Sequence, residues 1–118
     1  MSSEVITKND LTAILNKVLP NYDTGWQTLT TTSSSGTLQY RVVGKIVYIV
    51  GTGLNVTHNT NFITLPAAIR PSIRITCPAS FPLDKNIYIN LYASGNMAGI
   101  QNGGGSIVNL YFNMSYPI

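Results

Sequence analysis

The sequence has very little charge. Charged residues make up 9% of its 118 residues, whereas about 25% is usual in soluble domains. Only four residues are acidic and one is a histidine, so few groups are available for acid–base catalysis. A surface with so little charge depends on Ser, Thr, Asn and Gly for its solubility, or it is partly hidden in an oligomer, because charge is depleted at buried interfaces.

Basic stripes, disulfide pairs and long apolar runs are also missing from the sequence. The seven Lys and Arg residues are scattered along the chain, which disfavours nucleic-acid binding. Cys77 is the single cysteine, and its apolar neighbours predict a buried thiol. No apolar run is long enough to span a membrane. Residues 1–4 lack the basic residues followed by an apolar stretch with which a signal peptide begins. We therefore expect synthesis in a cytoplasm without ordinary export.

No constellation of residues predicts catalysis. His58 has no Cys, Asp or Glu near it in the sequence to complete a metal site. A hydrolase with paired carboxylates would have to use Asp23 and Asp84, because the other two acids lie in the N-terminal segment. No serine lies in a Gly-x-Ser-x-Gly elbow, and the glycine clusters lack the phosphate-loop patterns. We therefore expect a protein without enzymatic activity, metal or cofactor.

Residues 1–20 are predicted to contain one short α-helix. Thr7 is a good N-cap, and Pro20 ends the helical pattern. The apolar residues between them recur at the spacing of one helical face. This face either packs on the domain itself or meets its copies at an oligomer axis; the candidate interface residues are Leu11, Ile14, Leu15 and Val18.

Residues 21–118 have the pattern of an all-β domain. Residues 38–43 alternate between apolar and polar, and residues 45–50 carry β-branched residues on both faces; the two segments predict a hairpin, which Gly51-Thr52-Gly53 is expected to end. Ile73 and Ile75 are predicted to share one face of a later strand. Many short strands with polar turns indicate an antiparallel β-sandwich, of the jelly-roll or fibre-knob kind. The further predicted strands are 72–77, 86–92, 97–100 and 109–116.

Polar turns are the best candidates for ligand contact, because loops on a rigid scaffold commonly carry binding residues. Tyrosines on the predicted strands are a second candidate, since an apolar ring with a polar edge suits a sugar face. We expect most of these rings to serve as core or cross-strand partners instead. The candidate binding residues in turns are His58, Asn59, Asn61, Asn96 and Asn102.

Several short motifs occur in an order that resembles bacteriophage tail-fibre and baseplate receptor-binding proteins. The run 65–71, Leu-Pro-Ala-Ala-Ile-Arg-Pro, resembles the "LP-x-x-x-RP" element of that group. Residues 44–49, the Gly-Trp of 25–26, the Tyr-Arg of 40–41 and the closing segment 111–117 resemble other elements of the group. The resemblance covers most of residues 24–118. The group often has Gly where Ala68 stands, so the turn there is expected to differ.

The resemblance implies a homotrimeric β-sandwich head on a phage or prophage fibre. Such a head attaches the virion to a bacterial surface polysaccharide or protein, and its other partners are virion components. The alternative is a trimerisation or decoration module without a ligand of its own. The receptor-facing loops of the group vary, so the resemblance assigns no binding residues. We expect Arg70 to be structural, because a guanidinium can hold backbone carbonyls in place.

Overall fold

The computed structural model describes residues 23–79 and 86–118. Two four-stranded antiparallel sheets account for most of this part of the chain, with strand orders β1-β2-β3-β8 and β4-β7-β6-β5. The all-β prediction is therefore confirmed, whereas the predicted helix within residues 1–20 lies outside the described residues. The strands are β1 Gln27–Leu29, β2 Thr37–Val43, β3 Ile46–Thr57, β4 Asn61–Thr64, β5 Ile75–Pro78, β6 Ile87–Leu91, β7 Asn96–Gln101 and β8 Ser106–Pro117.

The predicted hairpin is formed by β2 and β3. A two-residue turn joins them, and Gly44 adopts a positive φ of 60° there, which glycine accepts without steric cost. The turn sets a register that pairs Val42 with Val47 and Arg41 with Tyr48. Because side chains alternate between the two faces of a strand, the first pair is buried and the second faces outward.

Strand β3 does not end at Gly51-Thr52-Gly53, so that prediction is wrong. It continues to Thr57, and its register with β8 shifts between Gly51 and Leu54. Such a bulge absorbs extra residues while pairing continues on either side. Gly51 lies opposite Phe112, and a Cβ at this position would come within 2.3 Å of the Phe112 ring. The glycine therefore makes room for an aromatic ring rather than ending the strand.

The segment between β4 and β5 joins the two edge strands of one sheet. Arg70 holds its geometry: Nε donates a 2.9 Å hydrogen bond to the Leu65 carbonyl oxygen. The Leu65 N–H in turn donates to the Gly95 carbonyl oxygen at 2.9 Å. These contacts agree with the structural role expected for Arg70.

Ile73 is also placed differently from its prediction. It lies before β5 and is 69% exposed, whereas Ile75 begins the strand and packs against the core. Pro71 interrupts pairing just upstream because it lacks an N–H donor. The strand therefore starts three residues later than the alternation suggested.

One hydrophobic core lies between the two sheets. Both sheets contribute to it, and burying each large aliphatic side chain contributes about 1.5–3 kcal/mol. Cys77 belongs to this core, as its sequence context predicted. Side chains that are completely excluded from solvent include Leu38, Ile49, Leu54, Leu65, Ile89, Leu91, Met97, Ile107 and Leu110.

We expect Ile107→Ala to lower the free energy of unfolding by about 2–5 kcal/mol, because the substitution leaves a cavity in the core. The matched control is Val108→Ala at the next position, where the side chain is 51% exposed. It should cost less than about 1 kcal/mol, mostly through lost strand propensity. Denaturant unfolding of both variants measures the difference, and equal losses would contradict the assigned inward face of β8.

Candidate functional site

Three of the five predicted binding residues lie in two turns that meet at one end of the sandwich. His58 and Asn59 form the turn between β3 and β4, and Asn102 lies in the turn between β7 and β8. The Gln101 N–H donates to His58 Nδ1 at 3.0 Å, and the His58 N–H donates to the Gly105 carbonyl oxygen at 2.8 Å. These hydrogen bonds make one ordered surface of the two turns.

Asn61 and Asn96 lie elsewhere and are joined to each other through Thr64. The Thr64 hydroxyl donates to Asn96 Oδ1 at 2.7 Å and accepts from Asn61 Nδ2 at 3.3 Å. Asn61 Oδ1 also accepts a 2.8 Å hydrogen bond from the Met97 N–H. Asn96 begins β7, whereas the two turns meet at the other end of that strand. The five predicted residues therefore form two separate groups.

A cavity of about 290 Å³ lies on the outer face of the sheet that contains β2 and β3. Its lining residues are Trp26, Arg41, Val43 and Tyr48, and we call it the aromatic pocket. Trp26 is 45% exposed and Tyr48 is 40% exposed. Tyr and Trp are enriched at binding interfaces, because each ring has an apolar body and a polar edge.

Backbone pairing positions the residues of the aromatic pocket. Arg41 and Tyr48 are direct partners across β2 and β3. Residues 23–26 lie beside β2, where Asp23 forms a bridge with Val43. Thr24 strengthens this contact, because its hydroxyl accepts a 2.9 Å hydrogen bond from the Val42 N–H. The pocket is thus built on a hairpin and on a segment bonded directly to it.

An ion pair forms the polar side of the pocket. Arg41 Nε donates to Asp23 Oδ1 at 2.8 Å, and Nη2 donates to Oδ2 of the same carboxylate. The Gly25 N–H also donates to Asp23 Oδ1 at 2.8 Å. The guanidinium carbon lies 5.9 Å from the centre of the Trp26 ring, within the range of a cation–π contact.

These bonds keep both side chains charged. The hydrogen bond from Arg41, followed by that from the Gly25 N–H, lowers the pKa of Asp23 to about 2. The same pairing raises the pKa of Arg41. Two parallel hydrogen bonds from a planar guanidinium also fix the orientation of the carboxylate. The pocket therefore presents a balanced pair of charges with a defined geometry.

The residues considered for catalysis or metal binding are not arranged for either role in the described part of the chain. Asp23 is ionised and its oxygens already accept hydrogen bonds, while Asp84, its proposed partner in a carboxylate pair, lies outside the described residues. Burial raises the pKa of the Cys77 thiol to about 11, which makes it a poor nucleophile. No group of His, Cys, Asp and Glu side chains suited to a metal ion occurs within residues 23–79 and 86–118.

Sequence reasoning did not identify the aromatic pocket, although one signal for it was present. A two-residue turn at Gly44 and Lys45 implies that Arg41 and Tyr48 are paired. The position of Trp26 had no such signal, because Trp26 precedes β1, a strand of only three residues.

The fold is similar to a solved phage structure. It is the crystal structure of the head domain of phage bIL170, reported in the context of the receptor-binding domains of lactococcal phages. The TM-score is 0.55 at 24% sequence identity, and the match covers 79% of this chain and 96% of that chain. The resemblance drawn from sequence motifs is confirmed at the level of the fold. No family model matches the chain, and no curated protein matches it significantly.

Within the described residues, no helix has the length and hydropathy needed to cross a membrane.

We expect the Asp23 carboxyl to titrate with a pKa of about 2, against an ordinary 3.8. The ion pair therefore stabilises the fold fully above about pH 4, and this contribution is lost as the pH falls through the folded-state value. Arg41→Gln should move the pKa back toward 3.8, though not fully, because the Gly25 N–H remains. A pH titration monitored by NMR at the Asp23 carboxyl measures the pKa in the wild type and in Arg41→Gln. An unchanged pKa in Arg41→Gln would show that the ion pair does not form.

Proposed function

We propose that this protein is the head domain of a phage or prophage fibre or baseplate protein, and that it attaches the particle to a bacterial surface. The observation that carries the proposal is the fold, which aligns with 96% of the bIL170 head domain. The order of the sequence motifs supports it independently. The low charge also suits a protein that presents hydroxyl and amide groups to a surface ligand.

The proposed receptor is a saccharide of the cell envelope, bound without catalysis. Two kinds of surface support this choice: exposed aromatic rings on the strands, and turns rich in Asn and Gly. Aromatic rings offer large rigid contact areas, while amide side chains both donate and accept hydrogen bonds. Both properties suit a ligand with many hydroxyl groups.

Trimerisation through the N-terminal segment is the second part of the proposal. A trimer would present three binding surfaces at the same place on the particle. Linked sites raise the overall avidity by factors of about 10²–10⁴ without any new contact, which compensates for weak binding at each site. The proposed location is therefore the virion, with other virion proteins as partners and with synthesis in the bacterial cytoplasm.

Fluorescently labelled protein should bind saturably to a subset of Gram-positive strains, lactococcal strains included. Purified wall polysaccharide from a bound strain should compete, and protease treatment of the cells should leave binding intact. The control is Ile107→Asp, which places a charge in the core and should abolish folding and binding together. Binding lost after protease treatment would indicate a protein receptor. Particles that adsorb equally well without this domain would favour the decoration module.

Light scattering should give a mass of three times the 12.8 kDa chain. The double substitution Ile14→Asp and Val18→Asp should yield monomers, because charges on an apolar seam oppose association. The control is Asn16→Asp, which adds a charge off the predicted face and should leave the trimer intact. A wild-type protein that stays monomeric at high concentration would contradict the trimer.

A further inference from the structure

We propose that the aromatic pocket binds one uncharged sugar ring of a surface glycan, with Trp26 and Tyr48 against its apolar face and the Arg41–Asp23 pair hydrogen-bonded to its hydroxyl groups. This inference rests on the proposed function and assigns it a site. It places the contact on the strand face of the hairpin and not in the turns at the end of the sandwich.

The aromatic residues give the first argument. Trp26 and Tyr48 are among the large hydrophobic residues that the described surface exposes, and both line one concave site together with Val43, the last residue of β2. Grouped exposed apolar surface in a soluble protein marks an interaction site. A pyranose ring has an apolar face of C–H groups and a polar rim, so it matches an aromatic wall with a polar edge.

The size of the pocket gives the second argument. Its volume of about 290 Å³ lies at the lower limit of the ~300–1,000 Å³ typical for small-molecule sites. A volume of this size can hold a single sugar ring. Because the pocket opens on the outer sheet face, the neighbouring sugars of a polymer would extend into solvent.

The ion pair gives the third argument. A guanidinium has five N–H donors, and Arg41 uses two of them on Asp23. The remaining donors, together with Asp23 Oδ2, can bind a pair of neighbouring hydroxyl groups, one as acceptor and one as donor. The pair is already oriented by the Gly25 N–H, so binding costs little additional ordering.

The paired charges of Arg41 and Asp23 favour an uncharged sugar ring over a charged one. A phosphate or uronate bound at Arg41 would lie beside the Asp23 carboxylate and would be repelled by it. An amino sugar cation would meet the reverse problem at Arg41. A neutral sugar avoids both costs, since hydroxyl groups bond either partner without disrupting the pair.

Trp26 is the only tryptophan of the chain, so its fluorescence reports directly on the pocket. The full chain is titrated with methyl glucoside, methyl galactoside, rhamnose and N-acetylglucosamine, and with glucuronate and glycerol 1-phosphate as anionic probes. We expect a saturable change with at least one neutral sugar and none with the anions. A response to the anions alone, or to no probe, would overturn the inference.

Tyr48→Ala and Arg41→Gln should each lower the affinity for the responding sugar by about tenfold, the equivalent of about 1.4 kcal/mol. The matched control is Tyr88→Ala, because Tyr88 is exposed to a similar extent (38%) but lies on β6 in the other sheet. It should leave the affinity unchanged. Circular dichroism verifies the fold of each variant, and equal loss in all three would count against a site at the pocket.

The same variants separate this inference from the proposed function. If wild-type protein binds cells and the two pocket variants bind equally well, the pocket assignment is wrong while attachment stands. If Trp26 responds to a neutral sugar but the protein binds no cells, the pocket stands and the attachment function is wrong. A change of molecular mass in Tyr48→Ala would instead show that a second copy of the chain occupies the pocket.

Discussion

The register of β2 against β3 is the constraint on which the rest of the structure depends. A two-residue turn with Gly44 at positive φ sets it, and a slip by one residue would move every side chain to the opposite face. In the observed register, Val42 and Val47 enter the core while Arg41 and Tyr48 face outward. One turn thus determines both the packing of a central strand pair and the outer wall of the aromatic pocket.

Two junctions connect this hairpin to the remainder of the sandwich. Gly51 accommodates the Phe112 ring, so β3 continues past the bulge and stays paired with β8 along most of its length. At the far end of β8, the buried Tyr116 hydroxyl donates a hydrogen bond to the Ile69 carbonyl oxygen. Ile69 belongs to the connection between the edge strands of the other sheet. The core therefore has polar as well as apolar ties between its two layers.

This scaffold presents its candidate binding groups on two kinds of surface. The turns that contain His58 and Asn102 are ordered by hydrogen bonds between them, one of which is accepted by the His58 side chain, yet loops of this kind vary easily without loss of the fold. The aromatic pocket lies mostly on β2 and β3, where rigid neighbours hold side chains more accurately. Under the proposed function, the pocket would supply the sugar contact, while the turns could change in sequence without altering that site. The strand site is also the one whose electrostatics the fold itself sets, through the Arg41–Asp23 pair.

Local patterns in the sequence determined the fold class, the β2–β3 hairpin, the burial of Cys77 and the structural role of Arg70, because alternation and turn chemistry act between near neighbours. They did not reveal that β3 passes through Gly51, since only the Phe112 ring opposite it explains the glycine. They also placed five candidate binding residues in turns, although Asn61 and Asn96 begin strands β4 and β7. The aromatic pocket needed tertiary structure most: Trp26 and Asp23 reach Arg41 only because residues 23–29 pair with β2, and pairing of so short a segment depends on the completed sheet.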